Sequence, residues 1–95
     1  SAAEGDEIKA TASGIVVAAG KAPDYGNYVK IKHGGGIETR YAHASKLLVR
    51  KGDLITKDQV IALVGNTGRS TGPHLHYEIR LNGRSLDPRK YLKKK

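Results

Sequence analysis

His74-Leu75-His76-Tyr77-Glu78-Ile79-Arg80-Leu81 alternates apolar and polar residues without a break. Successive side chains on a strand point to opposite faces, so the run has a period of two. Leu75, Tyr77, Ile79 and Leu81 are expected to share a core face, and His74, His76, Glu78 and Arg80 the other. Working upstream, residues 60–64 (Val-Ile-Ala-Leu-Val) form a continuous apolar run consistent with a central strand. In residues 28–33, Val29 and Ile31 alternate with Lys30 and Lys32, giving one buried and one wet face. The triple glycine Gly34-Gly35-Gly36 then turns the chain back into residues 37–43, where alternation assigns Tyr41 and His43 to one face. Residues 7–11 and 14–19 read as two strands meeting at Ser13-Gly14, residues 45–49 as a single helical turn, and Lys51-Gly52-Asp53 as a turn. No stretch shows a convincing helical period, and there is no internal repeat or linker. The expected fold is all-β, a single antiparallel domain over residues 1–95.

Composition agrees with one domain and removes whole classes of chemistry. A chain of 95 residues buries roughly 60–65% of the surface its unfolded form exposes. With 38% hydrophobic and 27% charged residues it is too apolar for a disordered tail. The absence of cysteine excludes disulfides, thiolate metal knuckles, iron–sulfur clusters and cysteine nucleophiles. No apolar run approaches the roughly 18 residues of a membrane span. Seventeen Lys and Arg against nine Asp and Glu give a net charge of +8, which favours an anionic partner. Lys93, Lys94 and Lys95 read as a solvated tail. Nucleic acid is not the expected partner, because the basic residues are scattered, the only aromatics are five Tyr, and no recognition motif appears.

The histidines carry the chemical signal. His74 and His76, two apart on one strand, stand roughly 6–7 Å from each other on one face. Such a pair can direct two nitrogens at one metal ion or its bound water. His43 falls at a strand end, where loops and sites collect. His33, immediately before the glycine turn, is expected to be structural or exposed. The loop Gly65-Asn66-Thr67-Gly68-Arg69-Ser70-Thr71-Gly72-Pro73 is rich in glycine, but it has no Gly-Lys-Ser/Thr element and runs into a strand instead of a helix. Nucleotide binding is therefore not expected.

Tyr41-Ala42-His43-Ala44-Ser45, followed about thirty residues later by the loop 65–73 and His74-Leu75-His76-Tyr77-Glu78, resembles the M23 family of zinc metallopeptidases, the lysostaphin or LytM type that cuts peptidoglycan cross-links. The segments 2–16, 26–33 and 51–53 are similar to that family as well, so the resemblance covers essentially the whole chain. It implies that His76 is a zinc ligand, and that His43 and His74 are the catalytic pair beside the zinc-bound water. It also implies two further ligands, a His and an Asp four residues apart on a preceding strand, with the Asp about two residues before Ser1. The chain is thus expected to be an M23 domain truncated on its N-terminal side, its first motif lying upstream or supplied by another segment or chain.

That chemistry suits these residue types. A catalytic zinc takes three protein ligands and keeps one position for water, whose pKa falls to about 7. Imidazoles titrate near neutral pH and can accept and return the protons of amide hydrolysis. Tyr41 faces the same way as His43 and could contribute a hydroxyl, but core packing is its expected job. Asn66, Thr67, Arg69, Ser70 and Thr71 are expected to line one wall of a groove and hydrogen-bond an extended peptide, with peptidoglycan peptide stems as substrate. The expected setting is the bacterial cell envelope, periplasmic or extracellular. The rival expectation is a zinc-less LytM-like module that binds and activates other wall hydrolases.

Overall fold

The computed structural model describes residues 4–65 and 76–86, residues 76, 85 and 86 by their backbone alone. Within them lie eight strands and no helix: β1 (Glu7–Lys9), β2 (Gly14–Ala22), β3 (Gly26–Gly34), β4 (Ile37–Leu47), β5 (Leu54–Ile55), β6 (Val60–Val64), β7 (His76–Leu81) and β8 (Arg84–Leu86). They form one sheet in the order β1-β6-β4-β3-β2-β5, with β7 on β4 and β8 on β7. Every pairing is antiparallel, as the short glycine-punctuated runs require.

One sheet face carries the core. Ile8, Val16, Val29, Ile31, Tyr41, Ile61 and Val64 are all buried there, with Tyr77 packed against them. Ile79 is buried as well, whereas its neighbours Glu78 and Arg80 pair with each other, so the alternation read in β7 holds. The β3–β4 hairpin closes through Gly35 and Gly36 at φ 61° and 79°. Positive φ at both central residues is the requirement of a type I′ turn.

One expectation is corrected. Residues 45–47 form no helical turn; β4 runs on through them, with Lys46 opposite Leu63 and Leu47 opposite Ala62. Pairing with β6 overrides the weak local preference. The strands expected on either side of Ser13-Gly14 are β1 and β2, and they take different neighbours, β1 lying on β6 and β2 on β3 and β5. Ala10 still bonds Gln59 and Asp58, which keeps this segment beside the start of β6. Gly14 then drops against Lys32 O, where no side chain fits.

Candidate functional site

His43 sits where β4 changes partners. On one edge of β4, Ala42 is opposite His76 of β7, and Ala44 is opposite Val64 of β6. On the other edge, Tyr41 and Ala44 oppose Val29 and Asn27, so three steps on β4 match two on β3. The extra residue is a β-bulge, a device that re-aims a side chain and increases local twist. His43 has φ 61°, a left-handed conformation uncommon outside glycine. The expected alternation from Tyr41 to His43 therefore does not run through: Ala44, three residues after Tyr41, joins the same core cluster.

The bulge is held by backbone. The His43 N–H donates to Tyr25 O at 2.7 Å, and the Gly65 N–H donates to His43 O at 3.1 Å. Asn27 Nδ2 donates to Ala44 O at 3.0 Å. Gly65 lies so close to β4 that a Cβ there would stand 2.5 Å from Ser45 Cα and 2.6 Å from its Cβ. His43 itself is 5% exposed. A residue in this conformation persists because the surrounding structure holds it there.

Histidines thirty-three positions apart in sequence thus arrive at neighbouring backbone positions, since His76 opens β7 directly opposite Ala42. The sheet performs this convergence. His74 and the groove residues Asn66, Thr67, Arg69, Ser70 and Thr71 lie outside the described residues, as does the His76 side chain. Among the described residues, no three His, Cys, Asp or Glu side chains gather as a metal site. No helix among them is long and apolar enough to cross a membrane.

The face opposite the core continues from the His76 position as a charged lattice. Arg40 Nε donates to Glu38 Oε2, and Arg80 Nε and Nη2 donate to Glu78 Oε1 at 3.1 and 3.0 Å. Tyr25 OH donates to Glu78 Oε2 at 3.2 Å and accepts from Arg40 Nη1 at 3.4 Å. Burial works against the Arg40 charge, but the bonds from Glu38 and Tyr25 outweigh it and hold its pKa above the ordinary value. Tyr25 was not singled out by sequence reading. Its carbonyl holds the bulge and its phenol ties the same turn to β7. Only the hydroxyl is visible in residue type; a carbonyl bond leaves no mark in a sequence.

His33 is structural, as expected. Its Nδ1–H donates to Ser13 O at 2.7 Å, and Nε2 meets Thr39 Oγ1 at 2.6 Å. Thr39 in turn donates to Tyr41 OH at 3.1 Å, and Tyr41 OH accepts from Thr11 N–H at 3.2 Å. Thr11 Oγ1 reaches Tyr77 OH at 3.1 Å, and burial pushes the Tyr77 phenol pKa up. Tyr41 is therefore a core residue with a satisfied hydroxyl. A largely apolar hollow of about 380 Å³ lies beside this chain of bonds, bounded by Ile37, Tyr77 and Ile79.

Residues 1–88 match the model of a family described as Peptidase family M23. The chain is 48% identical over 86 residues to peptidoglycan DD-endopeptidase ShyA of Vibrio cholerae, covering 90% of the chain and 20% of that protein. It is 46% identical over 87 residues to DD-carboxypeptidase/endopeptidase Mpg of Neisseria meningitidis, covering 92% of the chain and 20% of that protein. The chain therefore spans about a fifth of the length of these relatives. Among solved structures, the catalytic domain of the antimicrobial peptidase lysostaphin from Staphylococcus simulans is similar at a TM-score of 0.92 and 34% identity, over 98% of this chain and 74% of that one. A zinc-containing peptidase from Vibrio cholerae is similar at 0.88 and 44% identity, over 90% of this chain and 26% of that one.

Proposed function

The chain belongs to peptidase family M23, and on that premise we propose that it is the larger part of a zinc endopeptidase domain that hydrolyses peptide cross-links of bacterial peptidoglycan. The observation that carries the reading is the convergence of His43 and His76 at the point where β6 and β7 part on β4. The relatives named as peptidoglycan endopeptidases support the substrate, and the cell envelope follows as the place of action.

The donors among the described residues do not make up a metal site by themselves. In this proposal His76 contributes one ligand, and the remaining ligands come from outside the described residues. When bound, zinc supplies a Lewis acid and lowers the pKa of its water to about 7. The chain's own residues do the rest. His43, fixed by Tyr25 and Gly65 through its backbone, holds or moves a proton at a ring nitrogen without having to be repositioned. His74 is its partner in that exchange. Residues 66, 67 and 69–71 hydrogen-bond the extended peptide, and the polar lattice beyond His76 continues the surface on which it lies.

The test is digestion of purified peptidoglycan by the full-length protein, with released fragments identified by mass. New amino termini at cross-links are the expected result. A full-length protein that retains stoichiometric zinc and releases nothing would overturn the hydrolase reading and point to a regulatory module.

A further inference from the structure

Across β3, β4 and β7, register places Lys30 opposite Arg40 and Arg40 opposite Glu78; in the next row Lys32 is opposite Glu38 and Glu38 opposite Arg80. All six residues belong to the face that the core does not use, since Val29, Ile31, Thr39, Tyr41 and Ile79 between them are buried. Four cations thus stand against two carboxylates. Both carboxylates are engaged, Glu38 by Arg40 and Glu78 by Arg80 at 3.0 Å. The uncommitted positive charge is therefore on β3.

Lys30 is the better placed of its two lysines. Its ammonium lies 5.5 Å from the centre of the Tyr28 ring, which orients it while leaving its hydrogen-bond donors available. It borders a hollow of about 360 Å³ shared with Ala22, Pro23, Tyr25 and Tyr28. Tyr28 is set edge-on to Tyr25, 5.9 Å between centres, so the aromatic wall is shaped. Asp24 also borders the hollow and has a partner of its own.

We propose that Lys30, with the Tyr25–Tyr28 wall, forms a subsite for a free carboxylate carried by the peptide substrate. The proposal rests on the endopeptidase reading for where the cut bond lies. Lys30 is two strand spacings across and two residues along from His76, about 12 Å by sheet geometry. An extended peptide covers that distance in about three to four residues. The subsite thus reads a carboxylate at that remove from the cut bond, and amidating that carboxylate removes its charge and weakens recognition.

The experiment uses two synthetic cross-linked peptides that differ only in a free or amidated carboxylate three to four residues from the cut bond. Binding is measured by calorimetry on the full-length protein carrying His43→Asn, in which turnover is too slow to consume the peptide during the titration. The free acid is expected to bind about fivefold more tightly, as for a partly exposed charge pair, with the advantage shrinking as salt rises. Lys30→Gln should erase the difference, and Lys51→Gln, on an exposed turn, should keep it. Equal affinity for the two peptides, or a preference that survives Lys30→Gln, would overturn the subsite. Digestion of both peptides by the active protein is scored separately. If the amide is cut as fast as the acid, the subsite falls and the hydrolase stands; if acid-selective binding is seen but neither peptide is ever cut, the subsite stands and the hydrolase falls.

Discussion

His43 combines a strained backbone with a buried imidazole, and the two can be separated by substitution. Asparagine tolerates the left-handed region far better than most residues. In the full-length protein, His43→Asn is expected to leave the bulge and the bound zinc in place and to lower turnover about a hundredfold or more, the scale of a lost general acid or base. Full activity in that variant, measured as initial rate on peptidoglycan, would remove His43 from the chemistry. Gly65 tests the frame around it. A methyl group there must displace the backbone at Ser45, which is tighter than a side-chain clash and cannot be relieved by a rotamer change. Gly65→Ala should therefore cost about 1–3 kcal/mol. Chemical denaturation reads the loss directly, and an unchanged midpoint would mean that β4 and β6 have room to move apart.

At the scale of elements, β3, β4 and the Thr11 segment are cross-linked by one run of hydroxyls and a ring. Thr39 is its middle member, 3% exposed. Thr39→Val keeps shape and removes the bond to Tyr41 and the contact with His33, leaving buried polar atoms short of partners. The expected cost is about 1–3 kcal/mol, visible as a lower denaturation midpoint with an unchanged slope. How much of this architecture a sequence can announce differs from element to element. The face of β7 was legible because burial enforces its period: Ile79 must go in, and Glu78 and Arg80 must stay out. The turn at Gly35 and Gly36 was legible because few other residues adopt its φ. The bulge at His43 was not, since it exists only as a mismatch in count between β4 and β3, and no residue type records it. The reach of Tyr25 to His43 was hidden for the same reason. Residues 45–47 misled because local preference was weak and β6 decided the matter. Which strands become neighbours is likewise absent from alternation, so the approach of His43 to His76 was expected from the family resemblance.

At the scale of the whole molecule, the absence of a three-donor cluster among the described residues makes a direct prediction. Metal affinity depends on bringing deprotonated ligands together in one geometry. The chain of 95 residues should fold yet hold substoichiometric zinc after dialysis, whereas a chain extended on its N-terminal side to a His-x-x-x-Asp motif should retain about one ion against a mild chelator. Tight zinc in the shorter chain would mean that other residues serve as ligands. Charge and fold then act together, the core face supplying stability and the opposite face of β3, β4 and β7 presenting four cations against two carboxylates. The edge that β4 divides between two partners has one more consequence. β6 has Ile61, Ala62 and Val64 buried, whereas among the described side chains of β7 only Ile79 is buried. Local opening is easier where buried apolar contacts are fewer. Amide protons of residues 77–81 should exchange with deuterium sooner than those of residues 60–64, by an opening that leaves β1, β6 and β4 intact. Strand β7, which carries His76, can then breathe against a frame that does not unfold with it.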